Sequence, residues 1–279
     1  METQNFKEYM KNRKIIIGMI HVPALPGTPE NKLSTEEIIS KCIYEAEIYK
    51  KQGLTTLMIE NMHDIPYTKN IGPEIITLMS IIGREIKKLG LYCGIQILAA
   101  ANKEAIATAK ASGMDFIRAE GFVYAHVADE GYIESCAGDL LRYRKSIGAG
   151  EVLIFTDIKK KHSSHAITSD VDIAETAHTA EFFLSDGIIV TGVSTGTEAD
   201  LEEVKQVRKA VHTPVLIGSG ITTENLKNYY DNADIFIVGS YIKKNGYWKN
   251  ELDEERISKL MKELERLNNQ ENLNTKQNS

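Results

Sequence analysis

Polar and charged side chains follow short apolar segments at several points along this chain of 279 residues. The opposite ends of the same segments carry apolar or simple turn residues. If the segments are parallel strands, their carboxyl ends meet on one face, so this asymmetry predicts an active site there. The polar end positions are His21, Glu60, Asn61, Gln96, Arg118, Glu120, Asp157, Lys159, Thr191, Ser219 and Ser240.

The sequence TDIKKKH around Asp157 and Lys159 is the first candidate for catalysis. Side chains alternate along a strand, so these two share a face, and if Phe155 points inward they point inward too. A buried lysine beside an aspartate could transfer protons, because burial and neighbouring charge shift both pKa values. The lysine could also form a Schiff base. The alternative is a structural ion pair.

Arg118 and Glu120 share a face of the preceding segment by the same alternation. The arginine could hold a carboxylate or a second anionic group in a bidentate contact, or the two could pair with each other. His21 lies at the end of the first segment, before a rigid PALPG loop, and is either functional or an ordinary rim residue. Glu60, at the end of the second segment, is the remaining candidate for catalysis.

The predicted substrate contacts are Asn61, Gln96, His162 and Thr191.

Glycine-rich ends of the last two segments predict a phosphate site. The sequence GSGI at 218–221 and Gly239–Ser240 would let several backbone N–H groups converge, and a helix start behind them would add a favourable dipole. Barrel enzymes often bind phosphate at these two loops. Lys243 and Lys244 could add positive charge or be solvated. The predicted phosphate-binding residues are Gly192, Gly218, Ser219, Gly220, Gly239 and Ser240.

No metal or other cofactor is expected, although a divalent metal arriving with the phosphate is left open. Asp157, His162 and His165 could be ligands, but the sequence KKHSSH is more typical of a mobile polar loop. The three cysteines show no paired spacing and indicate reduced thiols.

The elements that position these residues alternate eight times between strand and helix, as in a closed barrel. The first predicted helix opens with a capping box, Ser34 followed by Glu37. An open doubly wound sheet also alternates, but GxGxxG is missing after the first strand. The predicted strands are 15–20, 54–60, 91–98, 115–120, 152–158, 186–192, 214–218 and 234–240. The predicted helices are 34–52, 72–89, 102–111, 135–147, 169–184, 197–211, 223–230 and 251–267.

We therefore predict an α/β fold, a single (βα)8 TIM barrel, over residues 1–267, with an N-terminal extension at 1–13 and a polar, disordered tail at 268–279. The formal net charge of −6 argues against nucleic acid as a partner. No apolar run approaches the roughly 18 residues of a membrane span. We expect a cytoplasmic protein that self-associates through its outer helices.

Long ordered motifs carry a family resemblance from about residue 14 to about residue 263. They are GMIHVPALPGTP, IEN, GDLLRYRKSIGA, DIKKKH, IIVTGVSTGTEADLEEVKQVRKAVHTPVLIGSGITTENL and IVGSYIKKNG. In these the chain resembles the BtpA family. The resemblance implies a TIM barrel of the ribulose-phosphate-binding type and a phosphate site at the last two loops. The family is named for photosystem I biogenesis, while members found beside sugar-transport genes are described as enzymes only by inference.

Two segments depart from the family pattern. GIQILAAANKEA after the third strand lacks the arginine that many relatives carry there, and Glu120 stands where they have asparagine, while Arg118 matches. Both changes affect the rim, so substrate identity does not carry over.

The favoured function is an enzyme acting on a phosphorylated sugar or nucleoside by acid–base chemistry, as an isomerase, epimerase or lyase. The alternative is a non-enzymatic assembly or regulatory factor of the photosystem I biogenesis type, for which the segment GYWKNE at 246–251 is the nearest candidate for membrane contact. A third class is a phosphometabolite sensor that signals through oligomerisation.

Overall fold

Eight parallel strands close into a barrel in the computed structural model, which describes residues 5–11, 13–192 and 194–277. Each strand pairs with its neighbour along the chain, and the last strand pairs with the first, Ile15 lying opposite Ile235. The predicted TIM barrel is confirmed and the open sheet is wrong. The barrel strands are β1 (Ile15–His21), β2 (Thr56–Glu60), β3 (Tyr92–Gln96), β4 (Phe116–Ala119), β7 (Leu153–Asp157), β9 (Gly187–Val190), β10 (Val215–Ile217) and β11 (Ile235–Val238).

Helices follow the strands and cover the outside of the barrel. The predicted capping box is confirmed: Ser34 Oγ accepts from the N–H of Glu37, whose carboxylate accepts from the N–H of Ser34 at 2.8 Å. The helices are α1 (Phe6–Tyr9), α2 (Thr35–Lys51), α3 (Pro73–Lys87), α4 (Asn102–Ser112), α5 (Ala137–Ser146), α6 (Ile173–Phe182), α7 (Leu201–Ala210), α8 (Leu226–Tyr229) and α9 (Glu254–Gln277). Short 3-10 turns occur at Ala166–Thr168, Ser240–Ile242 and Lys244–Gly246.

Two apolar clusters form the core. The larger one lies between the strands and the helices, and the smaller one fills the barrel with side chains such as Met19, Met58 and Phe116. Phe155 belongs to the inner cluster, so the condition on which the inward orientation of Asp157 and Lys159 was predicted is met. Strands buried on both faces explain why the strand segments are continuously apolar.

Aromatic rings close the amino-terminal end of the barrel. Phe6 of α1 is 2% exposed and stacks on Phe116 with ring centroids 5.2 Å apart. Tyr9 packs on Tyr92 at 4.5 Å, and its hydroxyl lies 2.7 Å from Thr55 Oγ1. The described part of the N-terminal extension therefore supplies the floor of the barrel.

A small antiparallel sheet, absent from the sequence prediction, stands at the other end. Its strands are β5 (His126–Ala128), β6 (Gly131–Ile133) and β8 (Ser163–Ser164), in the order β6-β5-β8. β5 and β6 form a hairpin in the loop after β4, and β8 lies in the loop after β7. The sheet ties these two loops together above the barrel.

The carboxyl terminus differs from the prediction. Helix α9 continues to Gln277, so the disordered tail predicted from residue 268 is wrong over the described residues. The hydroxyl of Tyr230 lies 2.6 Å from Asn268 Oδ1 and 2.8 Å from Glu271 Oε2, which holds this part of the helix to the barrel. Among the described helices, none has the length and apolar character required to cross a membrane.

Candidate functional site

A cavity of about 490 Å³ opens at the carboxyl end of the barrel. Loops after all eight barrel strands contribute to its wall, so the end chosen from the sequence is the one that carries the cavity. The polar and charged lining residues are His21, Glu60, Gln96, Arg118, Glu120, Asp129, Glu130, Asp157, Lys160, Lys161, His162, Thr195, Ser219, Thr222 and Ser240.

Arg118 and Asp157 form a bidentate ion pair in the cavity wall. The guanidinium Nε and Nη2 donate to the two carboxylate oxygens of Asp157, both at 2.8 Å, and each residue is 6% exposed. β4 and β7 are neighbours with Arg118 opposite Phe155, which brings the two side chains together. The alternative in which Arg118 pairs with Glu120 is therefore wrong.

Glu120 instead takes part in a second ion-paired group. Its carboxylate lies 3.1 Å from Lys160 Nζ and accepts from the N–H of Ala100 at 2.8 Å. Lys160 also lies 3.6 Å from Glu130, at the tip of the β5–β6 hairpin. Burial disfavours the ammonium, but the two carboxylates outweigh burial and raise the pKa of Lys160. This lysine ties the hairpin to the barrel.

Lys159 does not lie where the sequence predicted. The strand ends at Asp157, and Lys159 has a left-handed backbone with φ of 45°, so the alternation of side chains stops there. Its ammonium donates to the carbonyl of Thr168 at 3.1 Å, beside a separate small cavity. The predicted inward pair of Asp157 and Lys159 is wrong; Lys160 and Lys161 enter the cavity instead.

Two charged residues of the described cavity lining lack partners. Glu60 is buried and Lys161 is half-buried, and neither has an ion pair or a hydrogen bond, unlike the other buried or half-buried charged residues of that lining. Burial raises the pKa of Glu60, against the opposing effect of Arg118 and Lys161. Burial, together with the positive charge of Arg118, lowers the pKa of Lys161. Both shifts favour the neutral forms and move the two pKa values toward each other, which favours proton transfer by these groups.

His21 faces the cavity as a neutral imidazole. Its Nδ1 lies 3.2 Å from the carbonyl of Trp248, and a carbonyl can only accept, so Nδ1 carries the proton and Nε2 is free to accept. A Cβ built on Gly239 would lie 3.2 Å from Nε2, which puts this nitrogen beside the last glycine loop. Burial and the charge of Lys243 lower the pKa of His21 to about 3.

Five of the six predicted phosphate-binding residues line the cavity: Gly218, Ser219, Gly220, Gly239 and Ser240. Gly220 has φ of 71°, and a Cβ there would collide with the backbone of Glu198, so the loops after β9 and β10 require glycine to pack together. Ser219 Oγ donates to the carbonyl of Thr197 at 3.0 Å. Thr195 and Gly196 extend this surface, which we call the glycine cradle (195–196, 218–222 and 239–240).

Two lysines that could have added positive charge near the cradle lie elsewhere. Lys243 is 2% exposed and pairs with Glu45 at 2.6 Å on the outside of the barrel, and exposed Lys244 pairs with Glu251 at 2.8 Å. The predicted helix behind GSGI is reduced to the four residues of α8, and a 3-10 turn follows Gly239, so the expected helix dipole is wrong. The guanidinium of Arg118 lies beside Gly218 instead.

The other predicted contacts divide into two groups. Gln96 lines the cavity, and its buried Oε1 has no hydrogen-bond partner among the described residues; His162 also lines it, with Nε2 3.1 Å from Thr195 Oγ1. Asn61 lies outside the lining, where it donates to Asp64 and accepts from the N–H of Leu98 at 2.7 Å. Thr191 and Gly192 are also outside it.

Gly192 serves the packing of the cradle, because a Cβ there would collide with the carbonyl of Thr197. His165 Nε2 lies 2.9 Å from the carbonyl of Lys160, apart from the cavity lining. Within the described residues, no three His, Cys, Asp or Glu side chains are arranged to hold a metal ion.

The sequence prediction missed Lys160, Lys161 and Trp248. The three consecutive lysines after the fifth barrel strand indicated that a lysine faces the cavity. The alternation of side chains along a strand, however, selected Lys159 instead of Lys160 and Lys161. Trp248 lies in the segment considered for membrane contact; its ring lines the cavity and meets His21 edge-on at 5.8 Å.

Comparison with known sequences gives a consistent family. A model described as the BtpA family matches residues 12–266. An uncharacterized protein of Caenorhabditis elegans, whose name calls it mitochondrial, is 54% identical over 92% of this chain and 95% of its own length. The photosystem I biogenesis protein BtpA of Synechocystis is 31% identical over 87% of this chain and 85% of its own.

Solved structures agree on the architecture. Thiamine phosphate pyrophosphorylase from Pyrococcus furiosus superposes with a TM-score of 0.56 at 14% identity, covering 92% of this chain and 98% of that one. KGPDC from Streptococcus mutans superposes with a TM-score of 0.55 at 13% identity, covering 91% of this chain and 98% of that one. At such identities the likeness shows the fold alone, a TIM barrel.

Proposed function

Because this chain belongs to the BtpA family, we propose that it is an enzyme that binds a small phosphorylated metabolite in the barrel cavity and transfers protons on it with Glu60 and Lys161. The reaction class is that of an isomerase, epimerase or lyase. The substrate is a sugar phosphate or a nucleoside phosphate.

The observation that carries this proposal is the unpaired state of Glu60 and Lys161 within the described chain. Their neighbours in the cavity wall are paired: Arg118 with Asp157, and Lys160 with Glu120 and Glu130. Burying charge without a partner is costly, so a fold under selection for stability alone would pair or remove such groups. Perturbed ionisable groups inside a cavity are typical of functional sites.

The glycine cradle supports the phosphate half of the proposal. Three loops line one side of the cavity, one each with Thr195, Thr222 and Ser240, and Arg118 lies beside Gly218. The hydroxyl of Ser219 is already bonded to the carbonyl of Thr197. A phosphate there would face N–H and O–H donors and one guanidinium, whose charge is balanced by Asp157 and whose remaining N–H groups are available. The name of one similar structure, thiamine phosphate pyrophosphorylase, includes a phosphorylated compound.

The rest of the substrate then extends toward β2 and β3. Gln96 Oε1, which lacks a donor among the described residues, would accept from a hydroxyl of the substrate. Glu60 in its ionised form removes a proton from carbon, and Lys161 stabilises the negative charge that this leaves on the substrate. His21 Nε2 can accept from a further hydroxyl near the cradle. No cofactor is needed for this chemistry, and a divalent metal bound to the phosphate is compatible with it.

Ligand-induced thermal stabilisation tests the proposal. Purified protein would be heated with sugar phosphates, nucleotides and their unphosphorylated parents. A ligand at about 100 times its dissociation constant stabilises by about 2.7 kcal/mol, which raises Tm by several degrees. Ser219→Asp should abolish the shift by placing a carboxylate in the cradle, and Ser219→Ala, its matched control, should keep it. An equal shift in Tm with phosphorylated and unphosphorylated compounds, or a shift that persists in Ser219→Asp, would contradict the proposal.

A second candidate, an assembly factor, is favoured by the name of the Synechocystis relative. Partner capture and liposome sedimentation would support it if the ligand panel gives no shift. In the segment 246–251, Trp248 lines the cavity and Tyr247 is 49% exposed, so this segment offers a single large apolar side chain for contact with a membrane or a partner protein.

Self-association and a cytoplasmic location stay predictions.

A further inference from the structure

We propose that Lys161 is a nucleophile that forms an imine with its substrate, so that the substrate is a phosphorylated aldehyde or ketone. This deepens the proposed function and rests on it. Proton transfer next to a carbonyl requires a place for the electrons left on carbon, and an iminium supplies one.

Three consecutive lysines follow β7, and their surroundings differ. Lys159 donates to the carbonyl of Thr168 outside the cavity. Lys160 is held between Glu120 and Glu130. Lys161 faces the cavity with no ion pair and no hydrogen bond to any described residue. An amine attacks a carbonyl only as the neutral base with a free lone pair. Burial lowers the pKa of Lys159 too, but Lys159 lies outside the cavity, so Lys161 is the one of the three that is suited to the attack.

The groups around Lys161 favour the neutral amine. Arg118 contributes a fixed positive charge, held in place by its two hydrogen bonds to Asp157. Glu60, Asp157 and Glu120 act in the opposite direction, but burial and Arg118 prevail and the pKa of Lys161 is lowered. A lysine next to another cation in a poorly solvated site is a known route to an activated amine.

The atoms and electrons of the step balance within the site. The lone pair of Lys161 Nζ forms the C–N bond while the C=O π electrons move to oxygen. A proton passes from nitrogen to that oxygen, giving a carbinolamine. Glu60 in its protonated form then donates a proton to the hydroxyl, which leaves as water and yields the iminium. The resulting Glu60 carboxylate removes the proton from the adjacent carbon, which gives an enamine. Return of a proton from Glu60 to carbon regenerates the iminium, and addition of water to it then releases the carbonyl product and the free amine of Lys161.

Borohydride trapping tests the inference. The full chain would be treated with sodium borohydride in the presence of dihydroxyacetone phosphate, glycolaldehyde phosphate or D-ribose 5-phosphate, and its intact mass measured. Reduction of the imine should leave a stable secondary amine on the protein. Lys161→Arg keeps a long nitrogen-bearing side chain but has no amine that can add to a carbonyl, so the adduct should be lost. Lys160→Arg and Lys159→Arg, the matched controls, should keep it.

The outcomes separate this inference from the proposed function. Thermal shift with the same compounds, without borohydride, reports binding and shows whether Lys161→Arg is folded. If the compounds shift Tm but no adduct forms, or if the adduct persists in Lys161→Arg, the imine is overturned while the proposed function stands. If none of the phosphorylated carbonyl compounds binds or reacts, the carbonyl substrate class is overturned, and a shift with other phosphorylated ligands would still support the proposed function.

Discussion

The amino-terminal end of this barrel, its floor, is closed by aromatic rings, whereas the carboxyl-terminal end, its rim, is lined by charged side chains. At the floor, Phe6 stacks on Phe116, and Tyr9 packs on Tyr92. At the rim, Glu60 and Lys161 face a cavity without partners among the described residues. Ring stacking at the floor buries apolar area and stabilises the fold, while an unpaired charge at the rim reduces its stability. The barrel thus gains stability at one end and gives up part of it at the other, where chemistry requires it.

The largest effect is expected at the floor. Phe6→Ala removes a fully buried ring and should reduce the free energy of unfolding by about 4 kcal/mol, measured by urea denaturation. Binding of the ligand at the rim should be unchanged. Tyr44→Ala, which removes an aromatic ring that is 63% exposed, should leave stability nearly unaffected. A Phe6→Ala protein as stable as wild type would show that the aromatic floor does not stabilise the barrel.

The paired part of the rim should respond almost as strongly. Asp157→Asn leaves Arg118 buried without its carboxylate and should cost about 3 kcal/mol by the same measurement. The double variant Arg118→Met with Asp157→Leu should recover most of this stability, because neither charge remains. Both variants should lose the ligand-induced shift in Tm. Full ligand binding by the double variant would show that the ion pair is only structural.

The neutral His21 should make the rim sensitive to acid. Its pKa is lowered from 6.5 to about 3, so the unfolded chain binds a proton as pH falls below 6.5 while the folded chain does not. Its contribution to stability is complete above pH 6.5 and declines by about 1 kcal/mol over the first unit below it. His21→Asn should flatten this part of the stability curve, which denaturation at several pH values would reveal. An unchanged slope would argue against the buried neutral imidazole.

The smallest effect on stability concerns Glu60. Its pKa is raised by burial, so the folded protein binds the proton more tightly than the unfolded chain and loses stability as pH rises above 4.5. Glu60→Gln should therefore be more stable than wild type at neutral pH, by about 0.5 kcal/mol, and equal to it in acid. Parallel unfolding curves at pH 4 and pH 7 test this. Destabilisation by the glutamine at neutral pH would mean that the carboxylate has a structural role.

Periodicity predicted the fold because a barrel strand is buried on both faces, and this leaves continuous apolar segments with polar ends. The capping box of Ser34 and Glu37 is local and could likewise be recognised. The floor could not, because Phe6 becomes part of the core through contacts with residues more than a hundred positions away. The pairing of β5 with β8 joins two different loops and is equally non-local.

Within the site, prediction failed where regular structure ends. Alternation applies to Asp157, the last residue of β7, and not to Lys159, whose left-handed backbone turns the chain. Asn61 illustrates a second limit: its position at a strand end is polar because its side chain holds the N–H of Leu98 in the next loop. A polar rim residue can support a loop or face the ligand, and composition does not distinguish the two.

Hydrogen exchange between substrate and solvent measures the central claim most directly. A phosphorylated ligand found by thermal shift would be incubated with the protein in heavy water and followed by NMR. We expect deuterium to appear at one carbon, and Glu60→Gln to slow this exchange by about 100-fold or more while still binding the ligand. Binding without any exchange, or equal exchange by wild type and Glu60→Gln, would contradict proton transfer by Glu60 and favour a sensor or a scaffold.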